Sequence, residues 1–146
     1  MSYAAGEALV LALLRGMTEF DASNSSRQKW KVLNSGASDH YAIVRPGPFS
    51  NEPSGLGETA STDWRTVIEV WQRWLDDGET TIALQELVQA VIERFDGYPT
   101  LNDTTGSVVM GYVSGGGEMQ ERWLTQNGPS WAVWEVYVDW KEERIE

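Results

Sequence analysis

The chain contains no cysteine. That excludes disulfides, thiolate chemistry and cysteine zinc sites, and it suits a reducing compartment. Histidine is almost as scarce, with His40 standing alone. A Ser-His-Asp triad, a histidine metal site or a two-histidine relay each needs more partners than that. Basic residues are few: 11 Lys and Arg face 22 Asp and Glu, a formal net charge of −11. Apart from Arg27, Lys29 and Lys31 the basic residues are scattered, so no broad basic surface is available to grip nucleic-acid phosphates. Long apolar runs are absent too. Residues 8–14 (ALVLALL) are too short to span a bilayer, and no basic stretch opens the chain. Neither a leader nor a membrane segment is expected.

Catalytic patterns are equally thin. Asp76 and Asp77 are adjacent, but a turn explains them. Glu135 and Asp139 share a strand face, and a solvated edge explains them equally well. No EF-hand pattern is present for an oxygen-only cation site. Residues 114–117 (SGGG) lack both the P-loop signature and a following helix start, so they read as a hinge or hairpin loop. No catalytic, cofactor-binding or metal-ligating residue is assigned, and the chain is expected to be non-enzymatic. The acidity serves solubility, or it forms a surface that does not hold DNA passing nearby.

What the chain does have is tryptophan: eight in 146 residues. That length fits one domain, 1–146, able to bury roughly two-thirds of the surface its unfolded form exposes. One core of this size does not easily enclose eight indoles. At least half are expected in the core and a few at contacts, since Trp is enriched at interfaces.

Residues 3–18 form an amphipathic helix, with Leu9 and Leu13 at helical spacing, Val10, Leu14 and Met17 widening the stripe, and Ser2 as N-cap. Residues 30–33 are either a helical turn or a strand. Residues 40–45 (HYAIVR) read as a strand that Pro46 and Pro48 stop, because proline lacks the ladder N–H. Residues 46–62, rich in Gly, Pro, Ser and Thr, are expected as a long mobile loop. Residues 63–75 satisfy a helical face and a strand alternation equally. A strand buried on both sides explains both patterns. After a turn at 76–78, Leu84, Leu87, Val88, Val91, Ile92 and Phe95 make an apolar stripe for a helix over 81–96, capped by Thr80 or Thr81. Residues 107–113 are a strand, and 118–130 are polar around an exposed Trp123. Residues 131–140 (WAVWEVYVDW) form a strong strand. Its face of Ala132, Trp134, Val136, Val138 and Trp140 is apolar. The face of Trp131, Val133, Glu135, Tyr137 and Asp139 is mixed, so it is expected to be partly wet or met by a partner. The result is an α+β fold of order α-β-β-α-β-β: a small, mostly antiparallel or mixed sheet of about four strands with two helices packed on one face.

Three stretches carry a resemblance. They are residues 30–47 (WKVLNSGASDHYAIVRPG), residues 64–73 (WRTVIEVWQR), and the 81–96 helix running into Tyr98–Asn102 (YPTLN), with a Trp- and Val-rich closing strand after them. In this order they resemble the tail terminator, or tail completion, proteins of long-tailed non-contractile bacteriophages. The resemblance favours strand for residues 63–75. It implies a homo-oligomeric, hexameric ring on the finished tail tube, ending polymerisation and giving the head a docking surface. The implied partners are other copies of the chain, the tail tube protein and a head–tail connector or neck protein. DNA would pass through the lumen without specific binding. No cofactor and no membrane are implied, and the place is the virion at the head–tail junction, after assembly in the host cytoplasm. Trp30, His40, Tyr41, Phe49, Trp123 and Trp131 are the candidate interface residues. Another neck subunit, a stopper or head-completion protein, is the near rival. A small enzyme or binding module with an acidic site is the distant one, and its mark would be a deep pocket of convergent carboxylates.

Overall fold

Seven consecutive residues, Thr66 to Gln72, are all buried, and this decides the ambiguous stretch. In a computed structural model that describes residues 2–27, 38–52, 59–123 and 130–145, they lie in a long strand. The elements are α1 (Tyr3–Arg15), β1 (Ser25–Ser26), β2 (His40–Glu52), β3 (Thr59–Arg73), α2 (Asp77–Asp96), β4 (Val108–Gly116), β5 (Gln120–Trp123) and β6 (Ser130–Ile145). They form one six-stranded sheet of order β1-β2-β3-β6-β4, with β5 also paired to β6. All pairs are antiparallel except β1 with β2, so the sheet is mixed. Within the sheet β3 is flanked by β2 and β6, and its residues Thr66 to Gln72 are buried on both faces.

The α+β class stands, but the expected count of about four strands and the order α-β-β-α-β-β are corrected. The two unexpected strands are β1 and β5. Only two residues long, β1 sits in an Asp/Ser/Asn cluster where no period can show. In β5 the residues are polar and mostly exposed, so burial imposes no alternation on it. The 46–62 loop is corrected as well. Residues 46–52 continue β2, and residues 59–62 begin β3, with Phe49 opposite Trp64 and Asn51 opposite Thr62. Prolines 46 and 48 do not stop the strand because β2 has no neighbour beyond β1, which reaches only Ala42 and Ile43. On such an edge the missing N–H breaks no ladder bond. Instead a bulge between Pro46 and Phe49 shifts the register. Residues 53–58 and 30–33 lie outside the described residues.

Both helices pack on the same face. Val10, Leu13 and Leu14 of α1 and Leu84, Val91 and Phe95 of α2 meet Val44, Ile68, Val70, Val136 and Val138 of the sheet. For α1 the N-cap is as expected: Ser2 Oγ accepts the Ala5 N–H at 3.2 Å. For α2 it is not. The helix begins at Asp77, ahead of 81, and its cap is Asp76, whose Oδ1 accepts the Glu79 N–H at 2.7 Å. Thr80 works from inside the first turn, its Oγ1 accepting the Leu75 N–H at 2.7 Å. Because the helix starts at Asp77, Asp76 holds the capping position and both threonines fall inside the helix.

An aromatic cluster ties the start of α1 to the sheet. The Tyr3 ring lies 5.1 Å from Trp64 and 6.0 Å from Trp140, and the two indoles are 5.9 Å apart. Trp140 Nε1 donates to Thr66 Oγ1 at 3.2 Å, and the Thr66 and Tyr3 hydroxyls bond at the same distance. Burial, with the Glu7 carboxylate nearby, pushes the Tyr3 phenol up, so it stays neutral. Gly6 is the contact point: a Cβ there would stand 2.1 Å from the Trp140 ring. Gly6→Ala is therefore expected to destabilise the fold by about 1–3 kcal/mol through overpacking. Gly78→Ala, whose Cβ would meet only Asp76 Oδ1 at 3.8 Å, should be neutral or stabilising by up to about 1 kcal/mol. Urea unfolding of the two variants checks the contrast, and equal effects would contradict the packing described.

Candidate interaction surface

On the sheet face away from the helices, the strand alternation places three groups in sequence. At one end, Tyr41, Ile43, Trp71, Trp131 and Val133 form a second, smaller core. In the middle, Arg45 bridges two carboxylates at 2.7 Å each, Glu69 from β3 and Glu135 from β6. Glu69 also accepts from Trp71 Nε1 at 3.0 Å, so an indole and a guanidinium share one buried carboxylate. Burial works against the Arg45 charge, but bonds to Glu69 and Glu135 outweigh it and raise its pKa. At the far end, Arg65 grips both Asp139 oxygens at 2.8 and 3.1 Å and lies 4.8 Å from the Tyr137 ring centre. Burial alone would push the Asp139 carboxyl up. The bonds from Arg65 and Ser114 prevail, and its pKa is lowered. Lys141 stands 3.9 Å from Asp63 beside this pair.

A groove of about 530 Å³ crosses the sheet at that end, with Pro48 and Ser50 at one side and Met110 and Tyr112 at the other; the Phe49 ring lies on the opposite face, against Trp64. Its floor carries the two ion pairs just described, so its four charges cancel. Phe49 is 65% exposed, Met110 49% and Tyr112 45%. The other prominent aromatic is Trp123, 59% exposed, on β5 opposite Ser130. Trp64, at the groove, and Arg73, in the row leading to Arg122, lie nine residues apart on β3, which puts the two exposures roughly 30 Å apart along the sheet.

The six expected interface residues divide sharply. Phe49 and Trp123 are exposed as expected. Tyr41 and Trp131 are corrected: both are buried in the second core, their rings 5.6 Å apart. The mixed character of their strand face misled, because its polar residues gather in the middle and far end, while this end is wholly apolar. His40 is half-buried and engaged inside the chain, with Nε2 2.6 Å from the Glu19 carbonyl and its ring edge-on to Phe20. Trp30 lies outside the described residues. Of the other tryptophans, Trp71 and Trp140 are buried, and Trp64, Trp74 and Trp134 pack partly buried against the main core. Met110 and Tyr112 were missed, since a β-branched run suggests burial. No local signal marks them: Gly111 between them reflects close packing, since a Cβ there would press on the Leu101 side chain.

The SGGG segment is also corrected. Gly115 and Gly116 pair with Tyr137 and Val136 as the end of β4, and a Cβ on Gly116 would meet the Glu135 carbonyl oxygen. Close backbone approach, not looseness, explains that glycine. Sheet extension by a partner strand is hindered along β2 and at Gly111 of β4. Pro46 and Pro48 and the bulge blunt β2, and the Gly111 N–H of β4 is taken by the Pro99 carbonyl at 2.8 Å.

The carboxylate pairs have local roles. Asp76 caps α2, Glu135 holds Arg45 and Asp139 holds Arg65. Among the described residues, no group of three or more His, Asp or Glu side chains is placed to hold a metal, and no helix is long and apolar enough to cross a membrane. The charge excess sits elsewhere: α2 carries five carboxylates (Asp77, Glu79, Glu86, Glu93, Asp96) against Arg94. Glu79, Glu86, Glu93 and Asp96 are exposed. In comparisons with known proteins, the chain matches no family model and no curated protein.

Two outcomes test the ionic core of this face. Arg45→Ala leaves the buried Glu69 without its cation and should destabilise by on the order of 2 kcal/mol. That is below the roughly 3–5 kcal/mol of a fully buried pair, because Arg45 is two-fifths exposed. In the wild type, the lowered pKa of Asp139 stabilises the fold above its unfolded value of about 3.9, and this contribution is lost on acidification below it. Urea unfolding of both proteins between neutral and acid pH checks these signs.

Proposed function

We propose that this chain is a structural, non-enzymatic subunit that closes into a ring on a phage tail tube, ends tube polymerisation and presents a docking surface to the head. The observation that carries the reading is the pair of exposed aromatic patches at opposite ends of one sheet. Two different patches on one subunit suit a head-to-tail contact, which closes into a ring when the rotation permits. The sequence resemblance supplies the six-membered ring and the partners: other copies of the chain, the tail tube protein and a neck protein. The exposed acidic side of α2 supports a lumen that repels duplex phosphates and lets DNA slide through unbound. The virion's head–tail junction is the corresponding location. The alternative of an enzyme with an acidic site draws little support, because each carboxylate in the groove is matched by a cation.

Light scattering of the purified protein, alone and with tail tubes, tests the reading. The expected result is binding to tube ends and a change in tube length. A strict monomer that neither binds tube ends nor alters tube length would defeat it. Electron microscopy of particles lacking the protein separates it from its near rival: overlong or unjoined tails fit a terminator, whereas DNA-leaking heads fit a stopper or head-completion subunit.

A further inference from the structure

We infer that the exposed Trp123 of one copy seats in the groove between Pro48, Met110 and Tyr112 of the next copy. The choice of a second copy as occupant rests on the ring reading above; the choice of these two surfaces rests on geometry and charge.

The geometric argument is separation. Trp123 closes one end of the β5–β6 ladder opposite Ser130, and the groove crosses β6 at Asp139–Lys141. Roughly 30 Å of continuous sheet lies between them. The indole cannot turn back onto its own groove, so the contact joins different molecules. It is also asymmetric, since a knob meets a hollow. A groove of about 530 Å³ is large enough for one bulky side chain.

The charge argument is local neutrality. Two copies of a chain with a net charge of −11 repel each other over most of their surfaces. In the groove, Arg65 and Lys141 offset Asp139 and Asp63. Beside Trp123, Arg122 offsets Glu121. The acidic α2 carries the opposite balance and makes a poor meeting surface. The groove also offers an indole two preferred neighbours, the Met110 thioether and the Tyr112 phenol.

Size sets the strength. A buried aromatic contributes about 150–250 Å², well under the roughly 800 Å² per partner of a stable pair. One knob in one groove is therefore a weak contact. A closed ring uses both patches of every subunit, so closure adds what single pairs lack.

The test is a complementation of two point variants of the full chain. Trp123→Ala removes the knob, and Met110→Glu places a charge in the groove. Both positions are exposed, and circular dichroism verifies that each variant folds. Tyr112→Glu replaces Met110→Glu if the latter does not. Sedimentation is followed up to about 1 mM, where a contact of millimolar strength is visible. The wild type is expected to pass beyond the dimer with rising concentration, and each variant alone to remain a monomer. An equimolar mixture should form a one-to-one dimer and stop there, because only one knob and one groove remain intact. Three results would overturn the inference. The first is Trp123→Ala associating like the wild type. The second is a mixture that stays monomeric although the wild type associates; both would leave the ring reading standing with a different interface. The third is a wild type that stays monomeric yet binds tube ends through Trp123, which would assign the knob to the tube protein. Failure of the ring reading is read separately, in the tube experiment.

Discussion

The unbroken ladder between β3 and β6 is the constraint on which the molecule depends. It runs from Thr59 opposite Ile145 to Arg73 opposite Trp131 without a bulge. Because side chains alternate with period two, this one register decides both faces of the sheet. It turns Ile68, Val70, Val136 and Val138 toward the helices, and Glu69, Glu135, Arg65 and Asp139 away from them. A one-residue slip of β6 would drive Glu135 and Asp139 into the apolar core and strip them of Arg45 and Arg65. The neighbouring pairs, by contrast, tolerate irregularity. Bulges interrupt both β2–β3 and β4–β6, and they do so at the rims where the exposed residues stand.

That arrangement links packing to the proposed role. The bulge after Pro46 brings Phe49 onto the same row as Trp64, with ring centres 5.1 Å apart, so an exposed ring is braced by a partly buried one. The ion pairs beneath the groove have a second effect beside their contribution to stability. They leave a neutral, rigid patch on a strongly acidic molecule. The blunted edges discourage indiscriminate strand pairing, which in the proposed ring would direct association to shaped side-chain surfaces. A subunit built to join its neighbours in one way only, and to leave DNA alone, needs both properties.

The tryptophans show how composition and architecture divide the work. A surplus of indoles pointed to contacts, yet most of them are structural. Trp71 and Trp131 pack edge to face in the second core, and Trp140 anchors the start of α1 through Gly6 and Thr66. Only the two outward-facing aromatics at the sheet ends, Phe49 and Trp123, remain from the expected interface. Local patterning cannot reveal this, because an indole on a strand looks the same whether its face is covered or open.

By itself the sequence determined the α+β class, both helices, the Ser2 cap and the facing of residues 131–140. Each of these is written in short-range periodicity or in a capping bond that spans three residues. The tertiary structure decided the remainder: that Asp76 and not a threonine caps α2, that β2 runs through its prolines, that β1 and β5 join the sheet, and which aromatics are covered. Those outcomes depend on neighbours far away in the chain. An edge position excuses a proline, and a second layer hides a tryptophan, and neither neighbour leaves a mark on the local pattern.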